Sequence, residues 1–366
     1  MSYVTRKALF EQIENLRERP LISYVTSIRP NLSGQMAGDS IDHIIDQIQQ
    51  IPSDKREIDF LIISNGGDPI TALRIISLLR ERFDKIAVLL PYVAYSAATI
   101  LSLGADEIIM HPYSNLGPVD PQLTVSRQAD NGQSAQLQFS SEEIRNYIDF
   151  VKTDVGITDQ DHLTSAFNAL AKEVGPLPIG SAKRSQQLSL SLSIKMLETH
   201  MEDKSKATSI AKALNTSYYH HGYAVSRSEA QNIGLNVITP DATLENLMWN
   251  VWQDYSAEMK CGHELNMVAA IMADPTAQAW MNSVNVINLP ANTPPQIAQN
   301  IIAAMAQNAA SMVPQPPIQL NELVASIESA RCAVAVHTTF NIVYWRDVNM
   351  ALAFNATAYS EGWKPV

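Results

Sequence analysis

An alternation of strand and helix patterns occupies residues 58–110, which read IDFLIISNGGDPITALRIISLLRERFDKIAVLLPYVAYSAATILSLGADEIIM. Continuous apolar runs such as IDFLIIS (58–64) are typical of strands that are buried on both faces of a parallel sheet. The segment TALRIISLLRERF (71–83), which follows this run, has its apolar residues at helical spacing. Repeated units of this kind over residues 20–125 predict an α/β fold with a parallel sheet and right-handed crossovers.

The uncharged run from Ile86 to Ala105 has the length of a membrane-spanning helix, which needs about 20 apolar residues. Pro91 divides this run into a β-branched strand and a helix of small residues, so we predict two buried core elements and no membrane span. The N-terminal segment lacks the apolar core of a signal peptide. Two cysteines, Cys261 and Cys332, form no CxxC or zinc spacing. We therefore expect reduced thiols and a cytoplasmic protein.

The charge of the chain argues against nucleic acid as a partner. There are 26 Lys and Arg residues against 37 Asp and Glu residues, and the formal net charge is −11. Such a field repels phosphate backbones, and no basic run is present to overcome it. GxGxxG and P-loop motifs are absent as well, so we expect neither a nucleotide nor another cofactor, and no metal.

The later part of the chain has a different character. The polar segment SRQADNGQSAQLQ (126–138) is unperiodic and predicts a surface loop, and helical patterns resume after Ser140. A stretch rich in Pro, Gln, Asn and Ala (285–321) predicts a linker around one Ala-rich helix. The alternating residues that follow predict an antiparallel β unit. We therefore divide the chain into a main domain (1–255), a helical and Pro/Gln-rich linker region (256–321) and a C-terminal β unit (322–366).

Chemistry is expected at the carboxyl ends of the parallel strands, where open α/β folds bind ligands. A two-glycine turn, Gly66-Gly67, follows the first buried strand, and its N–H groups suit either an oxyanion or an ordinary turn. Ser96 begins a helix beside the small residue Ala97, which fits both an N-cap serine and a nucleophile. GxSxG is absent, so this is not the α/β-hydrolase elbow sequence. Asp120 lies in a rigid Gly/Pro loop, where it either orients a base or closes the loop.

These segments together resemble the Clp/crotonase superfold, a ββα spiral. More closely, SNGGDPITALRIISLLR, YSAATILSLGADEIIM, SNLGPVDPQL, PLPIGSAKRS and HHGYAVSRSEAQNIGL resemble successive blocks of the serine dehydrogenase proteinase (SDH) family of Clp-fold serine peptidases. The resemblance covers roughly residues 5–255. The glycine turn departs from the family pattern, which begins with Thr-Pro where this chain has Ser64-Asn65.

The resemblance implies that Ser96 is the nucleophile of a peptide-bond hydrolase, with an oxyanion hole formed by Gly66 or Gly67 and Ala97. The histidine of Clp itself is not reproduced beside Asp120, which leaves the general base open. The candidates are His221, which matches a histidine-containing block of the family and is preferred, and Lys183 and Lys152, since some relatives use a lysine.

The resemblance also implies a peptide or protein substrate and a homo-oligomer, a trimer or a larger ring. An ATP-driven unfoldase, if one is needed, is a separate partner protein. Two alternatives remain open. One is a crotonase-like acyl-thioester enzyme that uses the same oxyanion hole without a nucleophile. The other is a catalytically inactive scaffold that keeps the fold and lacks the base.

Overall fold

The computed structural model describes residues 2–128, 134–216, 218, 222–282, 292–309, 314–347 and 351–366. The strands in these ranges are β1 (Leu21–Thr26), β2 (Ile28–Arg29), β3 (Leu32–Ser33), β4 (Glu57–Ile63), β5 (Lys85–Leu90), β6 (Val93–Ala94), β7 (Glu107–Met110), β8 (Asn115–Leu116), β9 (Gln122–Gln128), β10 (Ser134–Ser140), β11 (Val225–Ser226), β12 (Val237–Ile238), β13 (Ile318–Glu328), β14 (Ala333–Arg346) and β15 (Leu352–Pro365). The helices are α1 (Tyr3–Arg17), α2 (Ile41–Gln49), α3 (Pro69–Arg82), α4 (Ala97–Leu103), α5 (Ser141–Thr153), α6 (Gln160–Val174), α7 (Pro176–Leu197), α8 (Lys204–Thr216), α9 (Arg227–Asn232), α10 (Ala242–Glu258), α11 (Met267–Ala273), α12 (Pro275–Asn282) and α13 (Pro295–Ala309).

A large mixed sheet lies at the centre of the fold, with its strands in the order β12-β7-β5-β4-β1-β13-β14-β15. Neighbouring strands from β12 to β1 are parallel. The strands from β13 to β15 are antiparallel to their neighbours. The predicted α/β class and the parallel sheet are therefore confirmed.

The parallel strands are buried on both faces because helices cover each side of the sheet. In β4, Phe60 and Ile62 join an apolar cluster with residues of α2, α3, α4 and α7. Leu61 and Ile63 face the opposite way and pack with residues of α1 and α10. Side chains of a strand alternate between the two faces, so a strand with helices on both sides carries apolar residues at consecutive positions. This explains the run from Phe60 to Ile63, while the buried Asp59 of the same strand is paired with Arg17.

A small second sheet lies next to the carboxyl ends of the parallel strands, in the order β11-β8-β6. Strand β6 follows β5 of the main sheet and leads directly into α4. A single bridge between Ser64 and Ala94 joins the end of β4 to β6. The order strand, short strand, helix is thus present in β5–β6–α4, while the complete ββα spiral stays a prediction.

The uncharged run 86–105 forms β5, β6 and α4, as predicted from Pro91. All residues of α4 are buried in the protein. Across the described ranges, no helix has both the length and the apolar character needed to cross a membrane.

The prediction of a surface loop over residues 126–138 is wrong. Strands β9 and β10 pair there as an antiparallel hairpin, with Leu137 opposite Val125 and Phe139 opposite Leu123. These apolar residues stand at every second position among polar ones, and Val125 and Leu137 are each less exposed than the residues on either side of them. The period of two is that of a strand with one wet face. Counting polar residues alone hides that period.

The C-terminal strands extend the main sheet. The predicted antiparallel β structure is confirmed, and β13 also pairs with β1 through residues 325–328. The Ala-rich helix that was predicted within 285–321 is α13. The division of the chain at residues 255 and 321 stays a prediction.

A buried ion-pair cluster ties the N-terminal helix to these strands. The Arg6 guanidinium donates to Glu328 at 2.7 and 2.8 Å and to Asp254 at 2.7 Å, and it also contacts Glu258. The same guanidinium lies 4.2 Å from the ring centre of Tyr255. Removal of one partner from a buried cluster leaves uncompensated charge and costs about 3–5 kcal/mol. Arg6 therefore holds α1, α10 and β13 together.

Candidate active site

Ser96 stands in a strained turn between β6 and α4. Its backbone has φ 52° and ψ −117°, a conformation that glycine adopts much more readily than serine. Such strain costs about 1–3 kcal/mol and is concentrated at functional sites. The Ser96 side chain is half-buried and makes no capping hydrogen bond to α4. The geometry therefore gives no support to a capping role, and it resembles a nucleophile elbow although GxSxG is absent.

The two-glycine turn lies directly against this serine. A Cβ placed on Gly66 would lie 2.6 Å from the Tyr95 carbonyl oxygen, 2.8 Å from the Ser96 Cβ and 3.0 Å from the Ala97 nitrogen. Gly66 has φ +104° and Gly67 has φ +148°, so both positions also favour glycine by conformation. Only a residue without a side chain allows the backbone to come this close to Ser96.

The N–H groups of the turn are not equivalent. The Gly66 N–H donates to Ser64 Oγ at 3.0 Å and is therefore already used. In the described ranges, the Gly67 N–H has no hydrogen-bond partner, nor does that of Ala97, the first residue of α4. The first N–H groups of a helix lack partners within the helix. Two free backbone donors thus lie on either side of the contact between Gly66 and Ser96.

The loop with Asp120 packs on the other side of the nucleophile strand. A Cβ on Gly117 would lie 2.5 Å from Tyr95 Cδ1, and the Gly117 N–H donates to the Ala94 carbonyl at 2.9 Å. Thr99 Oγ1 lies 2.7 Å from that carbonyl and 2.9 Å from the carbonyl of Gly117. Asp120 itself is buried and accepts a hydrogen bond from Gln122 Nε2 at 3.1 Å. The loop is therefore fixed next to Ser96.

The candidate bases lie in different parts of the fold. Lys152 is exposed near the end of α5, and Lys183 is exposed in the N-terminal half of α7. No contact places either lysine at Ser96 within the part of the chain that the structure describes. His221 lies outside the described residues. The chain that follows it enters β11, which pairs with β8, and β8 pairs with β6, the strand before Ser96.

His111 is close to this site in sequence and is engaged elsewhere. Its Nδ1 accepts the Tyr113 N–H at 3.1 Å, and its ring stacks on Trp249 with ring centres 4.8 Å apart. Burial lowers the pKa of His111 below the usual value for histidine. A ring nitrogen that accepts a backbone N–H is not free to take a proton from a serine.

Sequence reasoning assigned no role to the hydroxyls that hold these segments together. Thr26 Oγ1 donates to Ser64 Oγ at 2.8 Å, and Thr99 bonds to the loop as described above. One signal was available, since Ser64 is a polar residue that ends an apolar strand and precedes two glycines. The threonines gave no comparable signal because their partners are distant in sequence.

Comparison with known proteins supports the reading of this region. Residues 35–136 match the family model described as ClpP-like SDH-type serine proteinase. This segment contains the glycine turn, Ser96, Ala97 and Asp120. The resemblance to the SDH family that was predicted from the sequence is thus confirmed for residues 35–136.

Two relatives come from Methanocaldococcus jannaschii. The uncharacterized protein MJ0137 is 27% identical over 198 residues, which are 54% of this chain and 59% of the relative. The uncharacterized protein MJ1495 is 37% identical over 82 residues, 22% of this chain and 28% of the relative. The matched regions thus span less than two thirds of either relative.

Matches among solved structures include two variants of the 1510-N membrane-bound stomatin-specific protease. The first has 16% identity and a TM-score of 0.34, and the match covers 63% of this chain and 84% of that one. The second, in complex with a substrate peptide, has 18% identity and a TM-score of 0.32. That match covers 62% of this chain and 77% of the solved one.

Proposed function

We propose that the chain is a serine peptidase of Clp-like fold whose nucleophile is Ser96. The observation that carries this proposal is the contact between the strained Ser96 turn and Gly66, which leaves no room for a side chain between them. Strain at a serine that caps nothing is readily explained by a need to present its hydroxyl. The match of residues 35–136 to a serine proteinase family agrees with this role.

The proposed reaction begins with attack of Ser96 Oγ on the carbonyl carbon of a peptide bond, while the general base takes the hydroxyl proton. The carbonyl oxygen becomes an oxyanion and accepts hydrogen bonds from the N–H groups of Gly67 and Ala97. The base then gives the proton to the leaving amine, and an acyl-enzyme remains on Ser96. Water hydrolyses this ester by the same route. Removal of one oxyanion donor typically lowers kcat by about 10²–10³-fold.

We retain His221 as the proposed base, with Lys183 and Lys152 as alternatives. The described chain supports His221 through topology, since β11 begins four residues later and lies two strands from β6 in the small sheet. Neighbouring strands are about 4.8 Å apart, so β11 runs within about 10 Å of β6, the strand before Ser96. Asp120 is proposed to orient the base or to close the loop.

A peptide or protein substrate, a cytoplasmic location and a homo-oligomer of three or more subunits complete the proposal. The enzyme is proposed to work without a cofactor, and an unfoldase would be a separate chain. The crotonase-like alternative requires no nucleophile and gives no reason for the strain at Ser96. The scaffold alternative is distinguished from a peptidase by activity alone.

The test is cleavage of a complex peptide library, with new N-termini identified by mass spectrometry. We expect wild-type protein to generate new termini, and Ser96→Ala and Ser96→Gly to generate none. The glycine variant is included because glycine adopts a positive φ readily, so backbone strain at position 96 does not account for its loss of activity. Cleavage that persists in both variants, or its absence in the folded wild type, would contradict a Ser96 peptidase.

A further inference from the structure

Ser64 is fully buried at the end of β4, and all the hydrogen-bonding capacity of its hydroxyl is engaged. The oxygen accepts the Thr26 hydroxyl at 2.8 Å and the Gly66 N–H at 3.0 Å. The Ser64 hydroxyl in turn donates to the Gly66 carbonyl oxygen, and the two oxygens are 3.4 Å apart. A hydroxyl has one donor and two acceptor sites, so each of them is directed at a defined partner.

The backbone of Ser64 connects the same residue to the nucleophile strand. Its N–H donates to the Val93 carbonyl at 3.0 Å, and its carbonyl accepts the Tyr95 N–H at 2.9 Å. Tyr95 is the residue immediately before Ser96. Ser64 thus links two segments. Its side chain holds the glycine turn, and its main chain bonds to the strand that leads to the nucleophile.

The peptide between Gly66 and Gly67 is held from two sides. The Gly66 carbonyl accepts the Met36 N–H at 2.8 Å. In a trans peptide the carbonyl and the N–H of the following residue point in opposite directions, so the Gly67 N–H points away from Met36. The bond from the Gly66 N–H to Ser64 restricts rotation of the chain just before this peptide. These contacts together determine the direction of the free Gly67 N–H.

We propose that Ser64, held by Thr26, is a positioning residue that orients the Gly67 N–H toward the oxyanion formed at Ser96. The inference rests on the proposed function, because it needs Ser96 to act as a nucleophile. It goes beyond that function by assigning a role to two hydroxyls that touch neither substrate nor nucleophile. Loss of the Ser64 hydroxyl would free the Gly66 N–H and allow the turn to rotate.

The test measures the rate at which a fluorophosphonate labels Ser96, as a function of probe concentration, so that the limiting rate is separated from probe affinity. The variants are Ser64→Ala, Ser64→Thr and Thr26→Val. Ser102→Ala is the matched control, because Ser102 is also fully buried and, among the described residues, its hydroxyl bonds only to the Ala98 carbonyl within α4. Melting temperatures are measured for all variants.

We expect Ser64→Ala to lower the limiting rate by about tenfold to a hundredfold, because small displacements of a catalytic group have effects of this size. Probe affinity should not change. The melting temperature should fall further than in Ser102→Ala, because Ser64 Oγ has three partners and Ser102 Oγ has one, and labelling is therefore measured well below both melting temperatures. Ser64→Thr restores the hydroxyl and should recover most of the rate. Thr26→Val should show a smaller loss of rate, since Ser64 is still present.

Two results would overturn the positioning role while leaving the proposed function intact. One is a Ser64→Ala variant that labels as fast as Ser102→Ala. The other is a Ser64→Thr variant that labels no faster than Ser64→Ala. A wild-type protein that is folded and is not labelled on Ser96 would instead refute the proposed function, and the role of Ser64 with it.

Discussion

The proposed oxyanion side of the candidate site and its proposed proton-acceptor side are built in different ways. On the oxyanion side, the glycine turn, the strained Ser96 turn and the start of α4 are in backbone contact and are held by the buried Ser64. On the other side, the candidate bases are two exposed lysines on α5 and α7 and one histidine beyond the described residues.

This difference follows from the groups involved. An oxyanion hole of N–H groups belongs to the backbone, so it is present wherever the strands and the turn are correctly formed. A base is a side chain, and one fold accommodates it on different elements. The proposed oxyanion donors therefore lie in the α/β core of residues 20–125, and the candidate bases all lie after residue 140.

The largest change in the rate of Ser96 labelling is expected from removal of the proposed general base. We expect His221→Ala to lower the rate of Ser96 labelling by about 10²–10⁴-fold, the usual contribution of a general base. Lys183→Ala and Lys152→Ala should label like the wild type because both side chains are exposed to solvent. Labelling that is lost in one lysine variant and retained in His221→Ala would transfer the role to that lysine.

The next effect tests the oxyanion side. A Cβ on Gly67 would lie 2.3 Å from the Met36 carbonyl oxygen, so Gly67→Ala must displace the turn. We expect labelling to slow by about 10²–10³-fold, as for the loss of one oxyanion donor.

Gly180→Ala is the control for this substitution. Gly180 lies within α7 and has no atom within 4 Å of an added Cβ. Alanine in a helix is more stable than glycine by about 0.5–1 kcal/mol, so this variant should be active and slightly more stable. Equal labelling of the two glycine variants would show that the turn makes no contribution.

The parts of the fold that sequence predicted are those with a local signal. The buried strand at 58–64 and the helix at 71–83 have their own periodicity, and the structure confirms both as β4 and α3. The β9–β10 hairpin was missed because its apolar residues are few and lie among polar ones. The ββα spiral and the domain boundaries stay predictions.

The site was predictable to the same extent. The glycine turn and Ser96 follow strand ends, which is a sequence signal. The positive φ of Ser96 has no such signal, since Gly66, which packs against this turn, lies 30 positions earlier in the chain. The bond between Thr26 and Ser64 joins residues 38 positions apart, so it depends on the pairing of β1 with β4.

The smallest effect is a change in the pH dependence of stability, and it concerns His111, whose ring is held by Tyr113 and Trp249. Burial lowers the pKa of this histidine in the folded protein, whereas the unfolded value is about 6.5. As the pH falls through about 6.5, the unfolded chain takes up a proton that the folded protein resists, so stability is lost toward acid. The bond from the Tyr113 N–H to Nδ1 also requires that nitrogen to be unprotonated.

His111→Phe keeps an aromatic ring to stack on Trp249 and cannot be protonated. We expect its melting temperature to fall less than that of the wild type between about pH 7.5 and about pH 5.5. The melting temperature of the variant still depends on pH to some extent, because burial also lowers the pKa of His200. Labelling of Ser96 should not change. An unaltered pH dependence, or a loss of labelling, would contradict the structural role of His111.

The most direct test of a nucleophilic Ser96 is reaction of the purified protein with a fluorophosphonate, followed by peptide mapping of the adduct. We predict one adduct, on Ser96, and none in Ser96→Ala. A folded wild-type protein that carries no adduct, or carries it on another serine with Ser96 unmodified, would contradict the assignment of Ser96 as the nucleophile.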